Sequence, residues 1–457
     1  MTERDFNAFW YKLYVLCLPF GRLIELPFGN TVNGILGQLS TSVMLVGVAC
    51  LVVQGHFRLA RRVGLLFLFW LFMAVYSLAA SCVLTFSLFN PVESPMYTCL
   101  GDIVLYFLAF LSVWYNWYNL SHAVSFRSLY RVFNWQLPIL LVVGYLQLGT
   151  MLGVGPCVGA YTALSSVLAL VPPEYLWEVN RGVTMFGSEP ASTSILCALV
   201  IPYVMSRIVN SGGGRRLYFL IVLLLFGFLM LLSGSSSVLV QFLMAVVLFV
   251  LASVGFRLGK LFYIGSFLVG LFIAVGYTAG WGEKVEVTDR ESLEYIVVGK
   301  ALDRENMSTA MRASTVINDM KVFLDHPVTG VGNGNQGFWF KENTPFWVRA
   351  SEEVQEIFSG RKGIANGGGN FFPAYVSGFG LIGIFVLLAF VVRYHRYYKT
   401  SVLADDETLR LCFDIGVVLF LFTSWFSVGL KNNETMLFLL SLPCVTSMYG
   451  RAKASAR

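Results

Sequence analysis

Charged residues are scarce in this sequence of 457 residues. Lysine, arginine, aspartate and glutamate make up 13% of the chain, whereas hydrophobic residues make up 56% and the mean hydropathy is +0.69. An ordinary soluble domain carries about 25% charged residues, so this chain has too few to cover a water-facing surface of its size. The scarcity excludes a soluble enzyme, a disordered protein and a secreted disulfide scaffold, and it predicts a membrane protein.

The residues of several common catalytic sites are also missing. There are only four histidines, and no two of the eight cysteines are spaced as a CxxC pair. The sequence has no HExxH, no Walker glycine loop and no GxSxG. It gives no support to metal catalysis, ATP hydrolysis or serine-hydrolase chemistry, and it predicts no cofactor and no metal. The net charge of +6 bears on membrane orientation, so no nucleic-acid partner is expected.

Apolar runs of about 20 residues, the length needed to cross a bilayer, recur along the chain. They predict an all-α polytopic membrane protein that forms a single membrane domain over residues 1–457. The predicted spans contain almost no aspartate or glutamate, which argues against a proton- or sodium-coupled transporter but leaves a flippase open. About twelve spans are expected: 10–28, 33–54, 63–87, 98–120, 134–154, 190–208, 217–233, 236–255, 260–280, 371–392, 411–429 and 434–450.

Arginines and lysines cluster in short loops that fall on one side of this twelve-span arrangement. Because positively charged short loops stay in the cytoplasm, both termini are predicted to be cytoplasmic. Two segments then lie on the periplasmic side, namely a moderate loop at 155–189 and a long, partly helical loop at 281–370. The basic clusters begin at Arg58, Arg127, Arg207, Arg257, Arg393 and Arg451.

The long loop contains a predicted amphipathic helix over residues 308–324, followed by a glycine-punctuated turn at 325–337. Arg312 lies in this helix, and Arg181 lies just before another predicted span. Guanidinium groups bind phosphate bidentately, so two arginines at a lipid–water boundary would suit a polyprenyl pyrophosphate. The alternative is that each arginine is an interfacial anchor. The residues expected on one broad face of the helix are Met311, Thr315, Ile317, Val322 and Phe323.

Four sequence elements follow one another between residues 175 and 390. The first is Arg181 followed by TMFG and PASTS, and the second is the short turn LLSGSSS. The third is Arg312 leading to HPVTGVGNG, and the fourth is Asn370 followed by GFGLIG. In this order they resemble the O-antigen ligase and O-antigen polymerase family of bacterial envelope glycosyltransferases.

Two residues of the family pattern are absent. Ser236 stands where the turn arginine would be, and Gly369 stands where the loop histidine would be. Both missing residues are features of the ligase branch, so their loss favours a polymerase of a repeat-unit polysaccharide. The alternatives are an O-antigen ligase, which would transfer polymer to the lipid A core of lipopolysaccharide, and a non-enzymatic lipid-linked sugar flippase or transporter.

The resemblance implies a reaction at the periplasmic face of the bacterial inner membrane. A glycan on polyprenyl pyrophosphate would be transferred to the hydroxyl of another lipid-linked glycan, without a metal. The lipid-linked oligosaccharide and the bilayer would be partners, together with a chain-length regulator. The sequence does not name the sugar or the linkage.

The resemblance also implies roles for individual residues. Arg181 and Arg312 would stabilise the charge of the leaving pyrophosphate. With the family histidine missing, the candidates for the general base are Glu189, His326 and Asp325, and His326 has the alternative role of holding the turn together. Substrate binding is expected from Arg290, Gly330, Gly332 and Asn370.

Overall fold

The chain is described by a computed structural model, and within the described ranges it is helical. One isolated bridge pairs Ser401 with Thr446, and no named strand occurs there. The predicted all-α class is therefore confirmed for this part of the chain. The structure describes residues 2–20, 38–87, 94–168, 170–178, 182–186, 195–256, 258–279, 307–359, 370–426 and 433–446.

Seven helices in the described ranges are long and apolar enough to cross a membrane, which supports a membrane protein with several spans. They are Arg61–Ser87, Pro95–His122, Phe126–Met151, Gly213–Leu231, Ser236–Ser253, Lys260–Thr278 and Phe371–Tyr398. Their outer faces expose large apolar side chains such as Leu68, Phe86, Leu261 and Phe385, as expected for surfaces in contact with lipid.

The remaining helices are shorter or less apolar, and five of them occupy parts of the other predicted spans. The count of twelve spans therefore stays a prediction. These five are Glu3–Cys17, Leu39–Val53, Ile195–Asn210, Glu407–Thr423 and Glu434–Ser441. The others are Gly155–Val167, Pro173–Glu178, Met307–Asp325, Phe340–Asn343 and Glu352–Phe358, together with 3-10 turns at Gln336–Trp339, Phe346–Ala350, Val402–Ala404 and Leu442–Cys444.

Several of the predicted cytoplasmic loops meet at one end of the helices. Arg62 donates a 2.8 Å hydrogen bond to Thr400 Oγ1 and a 3.0 Å bond to the Pro443 carbonyl. At the same end, Ser206 and Thr408 share a hydrogen bond of 2.8 Å. The described loops beside Arg62, Arg207 and Lys399 thus lie at one end, in agreement with the predicted alternation of spans.

The few carboxyl groups within the helices take part in helix-to-helix contacts. Glu434 accepts hydrogen bonds from Tyr14 at 3.0 Å, Ser112 at 2.8 Å and Thr41 at 3.1 Å, and so joins four helices. Asp414 is buried and accepts from the Tyr263 hydroxyl at 2.6 Å. Polar groups in a membrane interior need such partners. Glu434 and Asp414, two of the few carboxyls in the predicted spans, therefore hold helices together.

The described residues of both predicted loops contain helices. The predicted loop at 155–189 contains two helices, Gly155–Val167 and Pro173–Glu178. The helix expected at 308–324 is confirmed as Met307–Asp325, called here the loop helix. The serine-rich turn is also confirmed, because it separates Gly213–Leu231 from Ser236–Ser253 and contains Gly234 at φ 63°.

The predicted apolar face of the loop helix was too narrow. Met311, Thr315 and Phe323 are only half-buried. Residues on other sides of the helix are fully buried, because further parts of the long loop pack against it as well as the membrane helices. Ile317 and Val322 of the predicted face are buried as expected, and the buried residues outside that face are Ala310, Ala313, Ser314, Val316, Asn318 and Asp319.

Candidate functional site

The loop helix lies in contact with the membrane-spanning helices. Val316 is fully buried in a cluster with Phe371, Phe372 and Tyr375 of the helix Phe371–Tyr398 and with Ala274 of Lys260–Thr278. Burying an aliphatic side chain of this size contributes roughly 1.5–3 kcal/mol. The helix that carries Arg312 is therefore held by apolar packing between two candidate spans.

A buried hydrogen bond joins two of the predicted site elements. Asn370 is 2% exposed, and its Nδ2 donates to Thr315 Oγ1 at 2.9 Å. Thr315 follows Arg312 by three residues, so the two occupy adjacent positions on the same side of the helix. Arg312 is half-buried, and its charge lies within electrostatic range of the Tyr277 hydroxyl. Arg312 and Asn370 thus belong to one region.

The chain after the loop helix, residues 326–335, is called the glycine turn. It runs beside the helix Phe371–Tyr398, which is called the kinked helix because Gly380 interrupts it at φ 58° and ψ −154°. Val331 N donates to the Ser377 carbonyl at 3.0 Å, and Gly332 N donates to the Gly378 carbonyl at 2.8 Å. The kink exposes these carbonyls, so the turn pairs with the helix much as a strand pairs with its neighbour.

The predicted substrate-binding glycines are part of this pairing. Gly330 and Gly332 have φ of 63° and 81°, a region that side chains disfavour. A Cβ at Gly330 would lie 2.5 Å from the Gly378 carbonyl carbon. The N–H groups of both glycines form hydrogen bonds within the protein. Gly330 N donates to the His326 carbonyl at 2.9 Å, and Gly332 N donates to the Gly378 carbonyl. Gly330 therefore permits a close approach to the kinked helix, whereas a Cβ at Gly332 would lie 2.8 Å from Ala80 Cβ on the helix Arg61–Ser87.

Two asparagines fasten the other side of the glycine turn, and the sequence analysis did not single them out. Asn333 Nδ2 donates to Asp102 Oδ2 at 2.9 Å, and the Asn333 backbone N–H donates to Ser77 Oγ at 3.1 Å. Asn335 Nδ2 donates to Ser81 Oγ at 2.8 Å. The turn is therefore inserted between the helices Arg61–Ser87 and Pro95–His122. Two features of the sequence could have indicated this contact: the repeated asparagine in GNGN, and the single aspartate, Asp102, within an apolar run.

The segment just after Arg181 is fixed by a glutamine that was also missed. Gln147 is fully buried; its Nε2 donates to the Met185 carbonyl at 2.7 Å, and its Oε1 accepts from Met185 N at 2.6 Å and Thr184 N at 3.1 Å. The same segment contacts the serine-rich turn, because a Cβ at Gly182 would lie 2.3 Å from the Ser233 carbonyl oxygen. Two of the four elements quoted from the sequence thus pack together here.

Two candidates for the general base lie at the far end of the loop helix. Asp325 is exposed. His326 is half-buried, and its ring packs edge-on against Trp339 with ring centroids 5.6 Å apart. Both stand more than three helical turns beyond Arg312 along the chain. The other predicted site residues, Arg181, Glu189 and Arg290, lie outside the described residues, so their convergence with Arg312 stays a prediction.

A different carboxyl lies much closer to Arg312. Asp319 is fully buried in the middle of the loop helix, and its Oδ1 accepts a hydrogen bond of 3.2 Å from Asn318 Nδ2. Its Oδ2 has no hydrogen-bond partner. Burial away from water raises the pKa of Asp319 to about 8, because the charged form loses its hydration. No local pattern in the sequence indicates a buried carboxyl here, since an aspartate on an amphipathic helix is usually solvated.

No protein-family model matches this chain, and no curated protein matches it. The resemblance to the envelope glycosyltransferases therefore remains a prediction from motifs. Among the residues that the structure describes, no three histidine, cysteine, aspartate or glutamate side chains are placed to hold a metal ion. What the described region offers is a guanidinium, a buried asparagine and a buried carboxyl on or beside one helix.

Replacing Gln147 with methionine is expected to destabilise the protein and lower its activity. Methionine keeps the length of the side chain but leaves the N–H groups of Thr184 and Met185 without an acceptor, at about 1–3 kcal/mol for each buried group. The effect should be a lower melting temperature of the purified protein and less surface polymer. Gln241→Met, a buried glutamine in another helix, serves as the control and should stay near wild type. Equal behaviour of the two variants would contradict a fixing role for Gln147.

Proposed function

We propose that this protein is a glycosyltransferase of the bacterial inner membrane that polymerises glycan repeat units carried on polyprenyl pyrophosphate. The observation that carries the proposal is the packing of the four sequence elements. The Thr184 segment lies against the serine-rich turn. The helix of Arg312 and its glycine turn lie against Asn370 and the kinked helix. Elements that are distant in sequence are thus joined in pairs, as parts of one site would be.

The position of these elements along the helices supports a periplasmic site. Asn335 is bonded to Ser81, near the end of Arg61–Ser87, whereas Arg62 at the start of that helix lies with the other basic loops. The candidate site is therefore at the end opposite to the basic clusters. By the positive-inside rule, that end faces the periplasm, where lipid-linked glycans are assembled in the proposed reaction.

In the proposed mechanism, a hydroxyl of one lipid-linked glycan attacks the anomeric carbon of another. The bond from that carbon to the pyrophosphate breaks, and its electron pair stays on the phosphate oxygen. Arg312 and Arg181 stabilise the charge that develops there. Gly330 contributes by letting the glycine turn close against the kinked helix, and Gly332 contributes by letting it close against the helix Arg61–Ser87. Asn370 contributes by holding the loop helix through Thr315.

Deletion of the gene tests this proposal against its two alternatives. For a polymerase, gel analysis of surface glycan should show single repeat units that are still attached to the cell surface. Complete loss of attached glycan, with polymer still made on its lipid carrier, would indicate a ligase. Lipid-linked repeat units trapped on the cytoplasmic face would indicate a flippase. Either of these last two results would overturn the polymerase proposal.

A further inference from the structure

The carboxyl group of Asp319 differs from the other buried aspartates in the described part of the chain. Asp102 accepts from Asn333, and Asp414 accepts from the hydroxyls of Tyr263 and Tyr398. Asp319 Oδ2 is the buried carboxyl oxygen that has no hydrogen-bond partner there. A buried polar atom without a partner is costly, and Oδ2 can accept a hydrogen bond that no group in the described part of the chain donates.

Asp319 is aligned with Arg312 on the loop helix. The two residues are seven positions apart, which places them within about 20° of each other around the helix axis and about 10 Å apart along it. Thr315 and Val316 lie between them along the helix, one on each side of the line that joins Arg312 to Asp319. Thr315 is bonded to Asn370, and Val316 packs on the first turns of the kinked helix. The line from Arg312 to Asp319 therefore faces the start of the kinked helix.

Charged groups of the neighbouring elements are engaged elsewhere. Lys321 Nζ donates to the Asn343 carbonyl at 3.1 Å, and Arg349 donates to the Thr344 carbonyl at 3.3 Å. The hydroxyl of Tyr277 lies near Arg312. Two causes act on the pKa of the Asp319 carboxyl among the described residues: burial, which raises it, and the hydrogen bond from the Asn318 amide, which lowers it. The other charged residues of the segments at 340–358, which are half-buried or exposed, are Lys341, Glu342, Glu352, Glu353 and Glu356. The charged residues of the two packed spans, Lys260, Arg393, His395 and Arg396, lie at the ends of those spans near the basic loops.

We infer that Asp319 is the general base of the proposed reaction and that its Oδ2 accepts the proton of the attacking glycan hydroxyl. The inference rests on the proposed function. The hydroxyl oxygen forms the new bond to the anomeric carbon, its proton passes to Asp319, and the lipid pyrophosphate leaves toward the arginines. This assignment replaces His326, Asp325 and Glu189 as the base.

The burial of Asp319 suits this role. A carboxyl that is desolvated binds its proton more tightly, and a base works best when its pKa lies near the working pH. The pKa of Asp319, raised to about 8 by burial, is in that range, whereas an exposed carboxyl has a pKa near 4. Burial also keeps bulk water away from Oδ2, so a bound hydroxyl is favoured over water as the proton donor.

The test compares Asp319→Asn and Asp319→Glu in membranes from a deletion strain that accumulates the lipid-linked glycan. Polymer formation is measured from about pH 6 to pH 9, a range that brackets the titration of the proposed base. The wild-type rate should rise with pH as Asp319 ionises, reach about half of its maximum near pH 8 and approach a plateau near pH 9. Asp319→Asn should be slower by about 100-fold or more, with little dependence on pH. Asp319→Glu should keep part of the rate and its pH dependence, because it keeps the carboxyl. Glu352→Gln, which removes an exposed carboxyl on the neighbouring helix Glu352–Phe358, is the control and should match wild type.

A purely structural role predicts the opposite order of the two variants. Asparagine has the shape of a protonated aspartate, so it would support wild-type activity, whereas the longer glutamate would not fit. Wild-type activity and pH profile in Asp319→Asn would overturn the inference. Absence of polymer from the wild-type protein as well would instead overturn the proposed function.

Stability at neutral pH provides a readout that is independent of activity. Asp319→Asn should melt at a higher temperature than wild type at neutral pH. The folded protein holds a proton that the unfolded chain has released, so the stability of the wild type falls as pH rises from about 4 to about 8. The difference between the two proteins should shrink in acid. A melting temperature of Asp319→Asn below that of wild type at neutral pH would contradict an unpartnered buried carboxyl.

Discussion

Arg312→Ala is expected to lower polymer formation by about 100- to 1,000-fold, the loss that follows when one preorganised donor to a developing negative charge is removed. The protein level in the membrane should stay near normal. The loop helix is held by Val316 and by the Asn370–Thr315 hydrogen bond, and neither contact involves the guanidinium. The rate is read from the chain-length distribution of surface glycan in a deletion strain that carries the variant gene.

Lysine at the same position separates a phosphate clamp from an interfacial anchor. Lysine keeps the charge but loses the planar fork that binds phosphate bidentately, so Arg312→Lys should restore only a small part of the rate. An anchor at the lipid boundary would accept lysine almost fully. Arg216→Ala, which removes an exposed arginine at the opposite end of the helices, controls for the loss of charge and should behave as wild type. Full activity of Arg312→Ala would contradict the clamp.

Gly330→Ala is expected to disrupt the site by displacing the glycine turn. The left-handed backbone at φ 63° costs a residue with a Cβ roughly 1–2 kcal/mol. The added carbon would also lie within 2.6 Å of three backbone atoms of Gly378 and Phe379, an overlap that costs about 1–3 kcal/mol more. The purified variant should melt at a lower temperature and should form little polymer.

A glycine in open surroundings provides the control for this variant. Gly101 lies within the helix Pro95–His122, and a Cβ added there would meet no atom within 4 Å. Alanine is favoured over glycine inside a helix by about 1 kcal/mol, so Gly101→Ala should be at least as stable as wild type. If Gly330→Ala were equally stable, the pairing between the glycine turn and the kinked helix would be wrong.

Local patterns in the sequence were enough to predict the elements but not their partners. The loop helix was predicted within one residue at each end, because its apolar periodicity and the following glycines mark it clearly. The serine-rich break was predicted because the run around it is too long for one span. The buried face was predicted less well, since the helix is packed on several sides and a single apolar stripe describes only one of them.

For the candidate site, too, the sequence indicated the elements but not all of the residues that pack together. Arg312, Asn370 and the glycine turn were singled out by their order along the chain, and the structure brings them to one helix and its neighbour. Asp319 and Gln147 were not singled out. A buried carboxyl or amide differs from a solvated one only in its tertiary surroundings, and the residues next to it in the sequence do not reveal those surroundings. Asp102 and Asn333 pair across 231 residues, a separation that no motif spans.

Reconstitution of the purified protein tests the central claim most directly. The protein is placed in lipid vesicles with polyprenyl-pyrophosphate-linked repeat units extracted from the deletion strain, and the glycans and released lipid are measured over time. The account predicts lipid-linked glycans of two or more repeat units, with one polyprenyl pyrophosphate released for each new linkage, and almost none of either with Arg312→Ala. Repeat units that stay single on their lipid, as in vesicles without the protein, would contradict it.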